Sequence, residues 1–160
     1  MSINEYHFVT EWQFSYPIEQ VFKLIDNGGD FPRWWPEVYL SAQVEVKGQA
    51  DRIGDKIHFY TKGWLPYTLR WTAELVRVQA PHHLEIKASG DLVGRGIWTL
   101  QAQENNGTYV RFDWHIVTEK PLLRYFSFIA KPIFSGNHRW AMARGFERFN
   151  QELARLKNTP

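Results

Sequence analysis

Residues 135–157 read SGNHRWAMARGFERFNQELARLK. Met142, Phe146, Phe149, Leu153 and Leu156 recur at steps of four and three, which places them on one face of a helix. At 1.5 Å per residue such a helix runs roughly 30–35 Å, enough to cross a whole small sheet. Arg139, Arg144, Arg148 and Arg155 fall largely off that stripe. A long apolar face needs an opposing layer, and the residues before it supply one.

Upstream, the apolar period changes from 3.6 to 2. Val38, Leu40, Ala42, Val44 and Val46 alternate with mostly polar neighbours, as do Ile57, Phe59 and Thr61, and then Leu69, Trp71, Ala73 and Leu75. Leu84, Ile86 and Ala88, then Trp98, Leu100 and Ala102, then Val110, Phe112, Trp114 and Ile116 continue the pattern. Each set reads as a strand with one apolar face. Turn signals separate several of them: Lys62-Gly63, Ala80-Pro81, Ser89-Gly90-Asp91 and Glu104-Asn105-Asn106-Gly107. Short connections favour antiparallel neighbours, and half-polar strands argue against a parallel sheet.

The amino-terminal end adds a strand and two short helices. Tyr6, Phe8, Thr10, Trp12 and Phe14 alternate with a mostly polar set. Pro17 and Glu19 suit a helix start, and Ile18, Val21, Phe22 and Ile25 form its apolar stripe. Asn27-Gly28-Gly29 is expected to stop that helix through a left-handed glycine. Asp30-Phe31-Pro32-Arg33-Trp34-Trp35-Pro36 reads as a second helix, capped by Asp30 and ended by Pro36. The fold class is therefore α+β: a curved antiparallel sheet of seven strands wrapped around the C-terminal helix, as one domain over residues 1–160. A hollow is expected where sheet and helix part company.

Composition narrows the function classes. The chain has no cysteine, which removes disulfides, thiolate metal sites and cysteine nucleophiles and fits a reducing compartment. No basic-plus-apolar leader and no span of about 18 apolar residues is visible, so a cytoplasmic protein is expected. Net charge is +2. Residues 119–160 hold 8 Lys/Arg against 3 Asp/Glu, while residues 1–118 hold 11 against 14. That tail reads first as a solvated helix face, and nucleic acid is not an expected partner. The departure from the ordinary is eight Trp, seven Tyr and eleven Phe in 160 residues. So many wide rings fill a large core or wall a cavity.

The element order resembles the helix-grip fold of the START-like (SRPBCC) superfamily. Several strings look like its polyketide cyclase/dehydrase-like bacterial members: Phe31-Pro32-Arg33-Trp34-Trp35-Pro36, Gly63-Trp64-Leu65-Pro66-Tyr67, Gly90-Asp91-Leu92-Val93-Gly94-Arg95-Gly96-Ile97-Trp98, Gly107-Thr108-Tyr109-Val110 and Asn137-His138 ahead of Met142. The resemblance covers nearly the whole chain. It implies a deep, mainly apolar cavity between sheet and long helix that takes a lipid, polyketide, sterol or similar molecule. It does not imply catalysis, since many relatives only bind or carry. The alternative it leaves is a polyketide cyclase/dehydratase-type enzyme working on a ligand in that cavity.

Other chemistries find little support. The glycines of residues 90–96 lack a Gly-Lys-Ser/Thr ending and a following helix, so they read as a bulge or sheet bend, not a phosphate loop. No histidine pair has metal-ligand spacing along the chain; Asp113 and His115 share a strand face with Arg111, opposite the apolar one. No metal and no cofactor is expected. Nucleophile elbows and paired carboxylates on apolar faces are absent. The expected ligand-binding wall comprises Trp35, Phe59, Tyr67, Leu69, Trp71 and Trp98 with Phe112, Trp114, Phe134, His138 and Met142. His138, one turn before Met142, stands on the stripe's edge; it reads as a helix-start histidine or as a group that orients a ligand or shuttles a proton near neutral pH. Tyr60 and Tyr67 are further orienting candidates. Pro121 to Gly136, apolar but dotted with Arg124 and Lys131, reads as core or gate ahead of a membrane-surface contact. The oligomeric state is left open.

Overall fold

Tyr6, Trp12 and Phe14 are buried while His7, Glu11 and Gln13 face solvent, so the first alternation is a strand, β1 (Glu5–Phe14). The computed structural model describes residues 5–63, 67–118 and 127–158, apart from the side chains of residues 118, 127–131 and 134. After β1 come α1 (Ile18–Asp26), a one-turn 3₁₀ segment (Gly28–Asp30) and α2 (Phe31–Trp34). Six strands follow: β2 (Tyr39–Glu45), β3 (Lys56–Lys62), β4 (Thr68–Gln79), β5 (His83–Gly90), β6 (Leu92–Gln103) and β7 (Gly107–Thr118). The chain then forms α3 (Ser127–Lys157).

The strands make one seven-stranded sheet in the order β1-β7-β6-β5-β4-β3-β2. Every neighbouring pair is antiparallel. Consecutive strands from β2 to β7 are joined by short connections and lie side by side; β1 closes on β7, so residues more than a hundred apart in sequence become partners, Tyr6 opposite Ile116 for example. This is the expected helix-grip α+β architecture.

The C-terminal half of α3 seals one end of the sheet. Phe149 and Leu153 are 1% and 0% exposed, and burial of each side chain stabilises the fold by about 1.5–3 kcal/mol. Phe149 meets Phe14, Trp34 and Trp12 at centroid distances of 4.9, 5.1 and 5.8 Å. Gly145 lets the Trp35 indole lie directly against the helix, since a Cβ there would overlap the ring. Charge reinforces this junction. Glu152, 5% exposed, accepts from Arg155 Nη2 at 2.7 Å and from Arg33 Nη2 at 2.5 Å. Those bonds, Arg155 first, outweigh burial and hold its carboxyl down at about 2. Arg148 pairs with Glu37, and Arg144 with Glu147. Arg144, Arg148 and Arg155 of the basic tail are thus paired with the protein's own carboxylates.

Several expectations need correction. Gly28 and Gly29 do not adopt positive φ; they are small because a Cβ would meet Ile57 Cδ1 at 2.9 Å and Val44 Cγ2 at 2.7 Å. Asp30 makes no capping bond, and its carboxylate binds Arg33 instead. Gly94 and Gly96 form no bulge; they lie in β6, regularly paired with β5 and β7. The register shifts fall elsewhere, at Tyr39/Ser41 and Leu75/Arg77. The first of these leaves Leu40 exposed, and Val44 and Val46 at the sheet edge are exposed too. Leu156 is 43% exposed, so the apolar stripe of α3 ends at Leu153. The helix starts at Ser127, earlier than its stripe suggests; residues 121–126 of the proposed gate, and Trp64, Leu65 and Pro66, lie outside the described residues. Among the described residues no helix is long and apolar enough to cross a membrane.

Candidate functional site

The two halves of α3 meet the sheet differently. Toward the C-terminus, phenyl rings and leucines fill the space. Toward the N-terminus, Asn137, His138, Ala141 and Met142 face the sheet, and a cavity of about 340 Å³ remains between them and the strands.

The floor of this cavity is a run of rings built by cross-strand pairing. Phe59 sits opposite Trp71, and Trp98 opposite Phe112. Centroid distances of 5.0 Å for Phe59–Trp71, 5.5 Å for Trp71–Trp114, 5.7 Å for Trp114–Phe112 and 4.0 Å for Phe112–Trp98 link all five rings. Gly96 keeps room beneath them: a Cβ there would touch Phe112 and Trp114 at 3.0 Å. Leu69, Ala73, Leu75, Leu84 and Leu92 complete the sheet side, and Phe31 with Trp35 closes the cavity from α2. At one mouth, Arg52 bonds Asp26 at 3.0 Å, joining the β2–β3 connection to the end of α1; Asp55 and Lys56 line the same rim.

Polar groups are few and specific. Trp71 Nε1 donates to Thr61 Oγ1 at 3.1 Å, so this indole is satisfied within the protein. His138 stacks on Phe8 with centroids 4.2 Å apart, and its Nε2 is buried without a hydrogen-bond partner. Trp35 Nε1 is likewise buried and unpartnered. A buried ring nitrogen without a partner costs about 1–3 kcal/mol, which a bound polar group would recover. Burial, reinforced by the neighbouring Arg139 charge, pushes the His138 imidazole down to about 4. The ring is therefore neutral at pH 7. It is a weak base there, which disfavours a proton shuttle, and is well suited to a hydrogen bond with a neutral ligand.

This depressed value has a measurable consequence. A free imidazole takes its proton near pH 6.5, so between pH 6.5 and 4 the unfolded chain binds a proton that the fold refuses. Stability is full above pH 6.5 and falls as pH drops, by about 3 kcal/mol at pH 4. Urea unfolding at pH 7 and pH 4 should show a correspondingly smaller drop for His138→Phe than for the native protein. Equal drops would mean that the imidazole is hydrated.

Of the expected wall, Trp35, Phe59, Leu69, Trp71, Trp98, Phe112, Trp114, His138 and Met142 line the cavity. Tyr67 is half-buried, stands apart from that lining, and has an unpartnered hydroxyl that burial pushes up to about 12. Tyr60 points to the opposite face, under the guanidinium of Arg70 at 4.3 Å. The side chain of Phe134 lies outside those described. Sequence reasoning omitted Ala73, Leu84 and Ala141 from the site, although the first two lay on strand faces already read as apolar. It also missed the rim residues Asp26, Arg52, Asp55 and Lys56. These sit at the ends of α1 and β3 and in the loop between β2 and β3, where no periodic signal exists.

The sequence model of a family described as "Polyketide cyclase / dehydrase and lipid transport" matches residues 6–159. Comparison with curated protein sequences gave no match. Among solved structures, the Zhui aromatase/cyclase from Streptomyces sp. R1128 superposes with a TM-score of 0.75 at 10% identity, covering 94% of each chain. A START superfamily protein from Mycobacterium smegmatis gives 0.75 at 8% identity, covering 94% of this chain and 98% of its own. Norcoclaurine synthase from Thalictrum flavum, a point mutant in complex with a transition-state analogue, gives 0.66 at 12% identity, covering 96% and 97%. At these identities the superpositions speak to the fold.

Proposed function

Because the chain belongs to the polyketide cyclase/dehydrase and lipid transport family, we propose that it is a binding module that holds a hydrophobic small molecule between its sheet and α3. The observation that carries this reading is the cavity itself: about 340 Å³, floored by five contacting rings, with His138 Nε2 buried and unpartnered beside it. Removing apolar surface from water drives binding at about 25 cal/mol per Å², and a single hydrogen bond to His138 sets orientation. The volume sits at the lower end of the usual range for ligand pockets, roughly 300–1,000 Å³. It suits a planar molecule of a few fused rings, or a medium acyl chain, better than a whole phospholipid. A ring floor of this kind favours flat, polarisable guests that stack on it.

The His138 imidazole on the wall, neutral and weakly basic at pH 7, suits holding an uncharged guest. Native mass spectrometry of the purified protein, with organic extraction of the same sample, tests the proposal. A co-purifying apolar molecule, or saturable one-to-one binding of the dye anilinonaphthalene sulfonate that such a molecule displaces, is the expected result. A chain that carries nothing and shows no saturable dye site would overturn it.

A further inference from the structure

The other face of the sheet carries a second constellation, separated from the cavity by the β layer. His7 on β1 is the direct partner of His115 on β7, and Asp113 lies two residues earlier on the same face. The imidazole rings stack with centroids 3.8 Å apart at an interplanar angle of 18°. His7 Nε2 stands 3.3 Å from Asp113 Oδ1. One ligand atom from each of the three residues lies within 4.8 Å of the other two.

We propose that His7, Asp113 and His115 bind a first-row divalent transition-metal ion, with zinc as the test case. Two imidazole nitrogens and one carboxylate oxygen are donors that such ions prefer, whereas magnesium and calcium seek oxygen alone. Tetrahedral zinc with bonds of about 2.0–2.1 Å spaces its ligand atoms roughly 3.3 Å apart. The widest separation here has to close by about 1.5 Å. His7 is 50% exposed, so side-chain rotation can supply this without moving the sheet. Three protein donors leave a fourth position for water or an anion. His7 and His115 border a surface concavity that Glu5, Val93 and Arg95 also line, and such a molecule has room there.

Two arginines set the strength of the site. Arg111 already engages Asp113, through Nε at 2.9 Å and Nη2 at 3.1 Å. Arg95 is the β6 partner of His115 and adds a second positive charge beside it. Both oppose a dication, so affinity falls in the micromolar range, short of that of buried structural zinc. Spacing along the chain could not reveal this cluster, because its histidines are 108 residues apart and meet only when β1 pairs with β7.

Calorimetric titration of the full chain with zinc, against magnesium and calcium, tests the site. One zinc per chain should bind, with no heat from the other two ions. His7→Ala and His115→Ala should each weaken binding at least tenfold, and Asp113→Asn several-fold. Arg111→Ala should tighten it several-fold, the opposite sign, by freeing the carboxylate and removing a charge. All four residues lie on the outer face, and circular dichroism confirms that each variant is folded. In histidine-ring NMR spectra, zinc should shift the resonances of His7 and His115 ahead of those of His82 and His83. No zinc binding at about 100 μM, or binding unchanged in the His7→Ala/His115→Ala double variant, would overturn the proposal. None of these outcomes depends on what occupies the cavity.

Discussion

Gly94→Ala should cost more than about 4 kcal/mol, a large part of a domain's usual stability, although it adds a single methyl group. Gly94 lies within β6, flanked by Ala88 on β5 and Ile116 on β7. Its φ is +152°, a conformation that side chains rarely adopt. A Cβ would also fall on the carbonyl oxygen of His115 and come within 2.9 Å of Ile116 Cα. Both obstacles are backbone atoms held in the β6–β7 ladder, so relief requires breaking strand pairing beneath the cavity floor. Gly48→Ala is the internal control. Its φ is +93°, but nothing lies within 4 Å of the added methyl, so only the conformational penalty of about 1 kcal/mol applies. Urea unfolding of the two variants separates strain from collision. Similar losses would show that the sheet gives way at Gly94 and that the close approach is not a constraint.

Ala141→Trp should abolish ligand capture, lowering affinity for anilinonaphthalene sulfonate by at least about a hundredfold. Ala141 lines the cavity from α3, on the wall facing the ring floor. An indole there enters space that the native chain leaves empty and occupies the volume a guest would need. Overpacking of this kind costs about 1–3 kcal/mol, so the variant should remain folded. Arg139→Trp, two residues away on the exposed side of the same helix, should bind as the native protein does. Fluorescence titration of the three proteins decides the matter. Undiminished binding by Ala141→Trp would move the ligand out of this cavity. Loss in Arg139→Trp as well would point to a general effect on the helix.

Both experiments touch what periodicity showed and what it concealed. Strand faces were legible because alternation is local: Trp71, Trp98, Phe112 and Trp114 had to share a side whichever strand lay next to which. Their assembly into one continuous floor was not legible. It depends on register, which pairs Trp98 with Phe112 and Phe59 with Trp71. Gly94 was expected to make a bulge or a sheet bend, yet its smallness answers to a carbonyl on the neighbouring strand. Tyr60 looked like a pocket residue from its ring, but strand alternation with Phe59 and Thr61 turned it outward under Arg70.

Residue order was enough to set the elements, the antiparallel sheet of seven strands and the long helix laid on it, because helix and strand periods are properties of neighbouring residues and turns. It also marked most of the apolar wall. Three-dimensional packing settled the rest. The gap exists because the helix offers Asn137, His138, Ala141 and Met142 where its other half offers Phe146, Phe149 and Leu153. The imidazole of His138 is neutral because that packing hides it from water. His7 reaches His115 because the first strand returns to the last, a contact between distant residues that no local pattern encodes.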